Sequence, residues 1–324
     1  MRKLFFLFLS LFLLASCKRR YTGERLGLTV GDIHSENYPT VIGCKEFAGL
    51  VYERSGGRIV VNVQTDVGSE LALLEHVHSG KMDFARVSGV MLGDTCEEFR
   101  VLSMPYLFRD SGHFWNVLNG DIGRRLLAGL EEHGYIGLCY YESGARSFYF
   151  TRPVGNYEEL QGMKIRVQNN SMMVDFVRAI GAIPYPIEYE DVYAALANGA
   201  IVGAENNVPS YWVENHHVLA RYYLLDEHMR IPEVLLGSKK VLSVLDAADM
   251  SLLVKAAADS VPVQRLAWEE DEREANRAIA KEGTIFLAHD MAKSADKLKA
   301  AQRLLDAQLS EEERQIINEI RATK

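Results

Sequence analysis

From Met163 to Gln168 apolar and polar residues take strict turns, Met-Lys-Ile-Arg-Val-Gln, the two-residue period of a half-buried strand. Strands and helices alternate along the first part of the chain. Leu26–Val30 reads as a strand, Tyr38–Ser55 as a helix stopped by Gly56-Gly57, and Ile59–Gln64 as a second strand. A helix from Glu70 to Ser79, stopped at Gly80, then leads into the strand Met82–Val87. This β-α-β-α-β order predicts a mostly parallel sheet covered by helices. The same order returns later. Lys164–Val167 is a strand, Ser171 caps a helix to Ile180 with Gly181 behind it, and a helix Tyr189–Asn198 ends at Gly199 before the strand Ala200–Ala204. Ser79-Gly80-Lys81-Met82-Asp83-Phe84-Ala85 and Asn198-Gly199-Ala200-Ile201-Val202-Gly203-Ala204 read as counterparts, so two similar α/β lobes with a cleft between them are expected; shared loop chemistry is the alternative.

The last part reads as helical. Asp246–Glu282 is interrupted only by Pro262, which predicts a kink or a break. Thr284–Leu287 reads as a short strand, and Ser294–Arg321 as two helices, the second starting at Ser310-Glu311-Glu312-Glu313. No low-complexity linker separates the lobes, so they are expected to interleave in sequence.

Composition narrows the class. Arg2 and Lys3 precede the short apolar run Leu4–Leu14, and Leu14-Ala15-Ser16-Cys17 has the small-residue pattern of a bacterial lipobox. Residues 1–16 are thus expected to be a removed signal, leaving an acylated Cys17 as a membrane anchor; an ordinary cleaved signal with an incidental cysteine is the alternative. No other apolar run is long enough to span a bilayer. Cys44, Cys96 and Cys139 remain, too few and too widely spaced for a disulfide framework, and read as buried small hydrophobes or one stray pair. The net charge of −8 argues against nucleic acid, and means that any preference for anions must come from local arginines.

Three polar residues between Gly144 and Asn207 would be costly in a plain core: Arg146, Arg166 and Asn206. Arg166 and Asn206 fall at or near strand ends, where open α/β sheets bind ligands. Two guanidinium forks and an amide suit a carboxylate. Each has a structural alternative: an ion pair for Arg166, a hinge ion pair with Glu142 or another acid for Arg146, and a turn for Asn206 before Asn207-Val208-Pro209. Glu70 at a helix start either meets ligand or answers the helix dipole. His228 is a pocket donor or a structural histidine, and Tyr211 and Trp212 wall the cleft or pack helices. His76 and His78, two apart on a helix, diverge, and His216-His217 is no better as a metal pair. No metal, cofactor or nucleophile motif stands out, so neither a cofactor nor an enzymatic activity is expected.

The run Gly144-Ala145-Arg146-Ser147-Phe148-Tyr149-Phe150-Thr151-Arg152-Pro153, the segment Glu159–Gln168 and Val192–Asn207 together resemble the substrate-binding subunits of the tripartite ATP-independent periplasmic (TRAP) transporters, the DctP-like family. The spacings from Arg146 to Arg166, to Asn206 and to His228 agree with that family, as do Ser55-Gly56-Gly57-Arg58-Ile59, Val67-Gly68-Ser69-Glu70 and Met104-Pro105-Tyr106-Leu107-Phe108; the resemblance covers about residues 25–320. It implies a two-lobe periplasmic-binding-protein fold with parallel or mixed sheets, hinge strands and a long lobe-spanning helix. Lobe I would take 25–143 plus 232–271, and lobe II 144–231 plus 272–324 with the C-terminal helices. It further implies a receptor for a small organic acid, delivering to TRAP permease subunits outside the cytoplasm, in some relatives with a TPR-repeat lipoprotein. The other readings are a lipoprotein of an ATP-driven (ABC) importer and a scaffolding envelope lipoprotein. Val202 stands where the family usually has Asp, and Asn207 where Pro is common. Phe148-Tyr149-Phe150 predicts a ligand with an apolar body if a ring faces the cleft, and says nothing of the ligand if the rings face the core.

Overall fold

The computed structural model describes residues 21–22 and 25–324, so the signal segment and Cys17 lie outside the described residues. The chain builds five strands of a first sheet: β1 (Tyr21–Thr22), β2 (Arg25–Gly31), β3 (Ile59–Gln64), β4 (Phe84–Ser88) and β5 (Tyr135–Tyr141). It then crosses to a second sheet for β6 (Ala145–Phe150), β7 (Lys164–Val167), β8 (Ile183–Pro186), β9 (Gly203–Asn206), β10 (Tyr222–Leu225) and β11 (Met229–Arg230). It returns for β12 (Glu233–Ser238) and finishes the second sheet with β13 (Ile285–Ala288).

In the first sheet β2 pairs in parallel with β3 and β4, while β12 lies antiparallel between β4 and β5. The second runs β13-β10-β6-β9-β7-β8, with β11 beside β6, and again mixes parallel and antiparallel pairs. The two sheets are the two expected lobes, interleaved in sequence. Helix stops repeat between them: Gly80 and Gly199 both close a helix in the left-handed region, at φ +75° and +74°, where a Cβ would be strained.

Four segments cross between lobes: Glu142–Gly144, Ile231–Pro232, the helix Ala247–Lys281 and the link Leu309–Ser310 ahead of the last helix. The helix Ala247–Lys281 is unbroken over 35 residues with Pro262 inside it, so of the kink or break expected there the break is absent. Its first half buries Leu253, Ala256 and Ala257 in the lobe I core, and its second half buries Ala275 and Ile279 in lobe II. Between them Gln264 exchanges two hydrogen bonds with the Glu142 backbone, 2.8 and 2.9 Å, tying the helix to the first crossing strand. The helix Met291–Gln308 packs on lobe II, through Leu305 and Ala301. The last helix, Glu311–Ala322, starts with a Ser310/Glu313 capping box. It returns to lobe I, contrary to the expectation that both C-terminal helices belong to lobe II: Glu313 takes a fork from Arg100 at 2.7 Å, and Ile320 O lies 2.8 Å from His113 Nε2.

The aromatic run after Arg146 resolves in favour of the core. Phe148, Tyr149 and Phe150 are fully buried, so these rings carry no information on the ligand. Cys44, Cys96 and Cys139 are free and buried. Among the described residues no helix is long and apolar enough to cross a membrane.

Candidate functional site

The lobes face each other across a cleft that narrows to a cavity of about 30 Å³, with side chains from both sheets on its walls. Arg146, Arg166 and Asn206, carried by three different strands, all reach it.

Arg166 projects from β7. Only 3% of it is exposed, and of its five N–H donors one is used, Nε to the Ile187 carbonyl at 3.1 Å. Among the described residues no carboxylate lies within ion-pair distance of it. Burial, together with the positive Arg146, lowers its pKa. A buried cation without a counter-ion is an expensive arrangement, and it makes Arg166 the natural seat for an incoming anion.

Arg146, on β6, is arranged differently. Its fork is taken by Glu205 of β9, through Nε at 2.6 Å and Nη2 at 2.9 Å, with Nη2 also reaching the Glu205 carbonyl at 3.1 Å. Burial would raise the Glu205 carboxyl, but Arg146 and His228 outweigh it and hold it near 2. Arg146 thus has an ion pair, as its structural alternative foresaw, but with Glu205 inside one sheet rather than at a hinge, while its Nη1 makes none of these bonds. Asn206 ends β9. Its Oδ1 accepts from Asn207 N at 2.9 Å, which leaves the amide nitrogen free for the cavity. The strand carrying it begins at Gly203 rather than Ala200, because Asn198 turns the chain through a 2.8 Å bond from Ala200 N to its side chain.

Lobe I supplies a residue that sequence reasoning missed. Arg86, in the middle of β4, is 1% exposed and meets three carboxylates. Nε and Nη2 go to Asp32, Nη2 also to His34, and Nη1 to Glu70 and Glu233 at 2.7 and 2.8 Å. All five donors are spent, the reverse of Arg166. Burial raises the Glu70 carboxyl above the usual carboxylate range in spite of Arg86. His34 is held below its ordinary value by burial and by Arg86, so it stays neutral at pH 7. The signal for Arg86 was the one that singled out Arg166, a lone charge in an apolar strand; for Tyr38, Tyr189 and Glu233, which also line the cavity, no local signal existed.

The lobes touch across the cleft. Tyr38 and Ser210 share a 2.8 Å hydrogen bond, Asn170 Nδ2 donates to the Val90 carbonyl at 3.1 Å, and His34 stacks on Tyr38 at 3.9 Å with Tyr189 edge-on. Glu70 does reach the cavity, with one carboxylate oxygen, Oε1, committed to both Arg86 and Ser88 N.

Two expected site residues lie elsewhere. His228 is fully buried behind the wall, bonded to Asp226 at 3.0 Å and stacked on Phe148 at 4.2 Å. Burial would lower its pKa, but Asp226 and Glu205 raise it to about 9, so it is an internal cation that supports Glu205. Trp212 is half-buried and packs against the lobe II core cluster that holds Tyr149, Tyr211 and Tyr223. Outside the cleft, Cys96, Glu98 and His133 bring metal-type groups within 4.8 Å of one another. Burial and Glu98 push the Cys96 thiol up to about 12, which keeps it a hydrogen-bonded thiol rather than a thiolate.

Two mixed α/β lobes, four crossing segments and a buried polar cleft define a hinged solute-binding protein. Residues 30–312 match the family described as bacterial extracellular solute-binding protein, family 7, known as DctP, and the chain belongs to it. A solute-binding protein of Chromohalobacter salexigens is 34% identical over 78% of this chain and 76% of its own length. Two TRAP periplasmic solute-binding proteins of known structure share the fold. That of Xanthobacter autotrophicus, with bound β-D-galacturonate, has a TM-score of 0.88 at 35% identity, covering 92% of this chain and 100% of its own. That of Chromohalobacter salexigens, with bound D-glucuronate, has a TM-score of 0.87 at 31% identity and the same coverage. The chain is therefore a TRAP-type extracytoplasmic receptor rather than an enzyme, and the ABC-importer and scaffolding readings are not favoured.

Proposed function

We propose that this receptor binds a sugar acid of the hexuronate class between its lobes. The observation that carries the reading is Arg166: a buried guanidinium with four unused donors, facing a cavity shared by both lobes. The ligand carboxylate takes the Arg166 fork, with Arg146 Nη1 and the Asn206 amide as further donors. Lobe closure removes water from this pair and strengthens it. Uronates bound to relatives at 31–35% identity support the ligand class. The loaded receptor then hands the acid to its TRAP permease. An acyl anchor at Cys17, supported by the Leu14–Cys17 pattern, keeps it at the membrane; mass spectrometry of the processed N-terminus tests that point.

The test of function is calorimetric titration of the purified protein with D-galacturonate and D-glucuronate, beside mass spectrometry of any small molecule released on denaturation. Binding of a uronate that is lost in Arg166→Met is the expected result. A tightly bound ligand without a carboxylate would overturn the reading.

A further inference from the structure

The two walls of the cleft carry opposite charge. On lobe II, Glu205 neutralises Arg146, Asp226 faces His228, and Arg166 is left over as an unanswered positive charge. On lobe I, three carboxylates share one guanidinium. Even with Glu70 protonated, Asp32 and Glu233 outnumber Arg86, and neutral His34 adds nothing to the balance. Arg86 cannot serve as a second anion seat, since every one of its N–H groups already has an acceptor.

We propose that the Glu70–Arg86–Glu233 wall is a charge filter: it accepts the hydroxyls of a monocarboxylate sugar acid and rejects a second carboxylate on the same ligand. The proposal rests on the hexuronate reading and deepens it. Glu70 and Glu233 both line the cavity, and each spends one oxygen on Arg86, leaving the other as an acceptor for O–H groups. A hydroxyl brings a donor to those oxygens. A carboxylate brings only acceptors and a like charge into a desolvated slot, an arrangement that opposes binding. In physical terms the arginine fixes the two acids in place, and their surplus charge does the discriminating.

The test titrates D-galacturonate and galactarate, the diacid of the same carbon skeleton, into the wild type, Glu70→Gln, Glu233→Gln and Arg166→Met. The wild type is expected to favour galacturonate by roughly a hundredfold or more. Because one acid is cyclic and the other open, the decisive quantity is the change on neutralising an acid: Glu233→Gln should raise galactarate relative to galacturonate by about tenfold, and Glu70→Gln should do the same in titrations run above the raised Glu70 pKa. Thermal melts of the free variants identify any that misfold, and the two acids sit on different elements, so one intact variant suffices. If galactarate binds the wild type as tightly as galacturonate, with both lost in Arg166→Met, the filter is refuted while the carboxylate receptor stands. A folded Gln variant that shifts both acids equally refutes the filter in the same way. If neither acid binds, or Arg166→Met leaves galacturonate unaffected, the hexuronate reading itself falls and the filter with it.

Discussion

Replacing Arg166 by Met separates a binding arginine from a structural one. In the free protein this guanidinium has one hydrogen bond, to a carbonyl, and no ion pair among the described residues, so its burial outweighs the more distant pull of Glu205. Met keeps most of the volume and removes the buried charge, which leaves the thermal midpoint of the free protein unchanged or raised. Binding should respond in the opposite sense. A desolvated arginine–carboxylate pair loses about 2–5 kcal/mol when one partner is truncated. At 1.4 kcal/mol per decade, Kd rises between about 30-fold and a few thousandfold. Arg166→Lys keeps the charge without the fork and should recover only part of that loss. Calorimetry with galacturonate and a melt without ligand settle both quantities on the same sample. A fall of several degrees in the free midpoint, with affinity intact, would refute the argument, because Arg166 would then be holding the fold.

The converse holds for Arg146→Met, which strands the buried Glu205 and should lower urea stability by about 3–5 kcal/mol, seen in the unfolding midpoint. His228 titrates higher in the fold, at about 9, than its usual 6.5, so its stabilisation is full below pH 6.5 and lost as pH rises to 9. Urea melts should weaken over that window by at most about 3 kcal/mol, with Asp226, Glu205, Tyr157 and His289 as its titratable neighbours, and His228→Gln should flatten the slope. Gly144→Ala places a Cβ at φ +66° and 2.9 Å from Glu272 Oε1 on the long helix, and is expected to cost about 1–3 kcal/mol, measured by urea unfolding.

Much of the fold was legible because its local signals agree with its global arrangement. Ile59–Gln64, Lys164–Val167 and Glu70–Ser79 occupy the expected residues, since glycine stops and apolar runs bound each of them. The long helix was legible in extent, and of the kink or break read at Pro262 the break is excluded, since the helix runs through it. The site was half legible. Arg166 and Arg146 stand out as charges inside strands, but which of them is free depends on Glu205, whose partner no spacing names. His228 and Trp212 lie near the site along the chain yet outside its lining, because His228 stacks on Phe148 and Trp212 packs on the lobe II core. Arg86 and Glu233, far apart in sequence, become neighbours only when β12 pairs with β4.

That pairing has a consequence for the order in which the protein can be made. β12 sits between β4 and β5, so the first sheet stays split, with two raw edges, until residues 233–238 have been synthesised and brought back past the whole of lobe II. Lobe I begins the chain but is a late product of it, and Arg86 lacks one of its three acids until the same strand arrives. A chain delivered from its N-terminus onward therefore remains open and threadable for most of its length, and sheet and charge cluster close in one step.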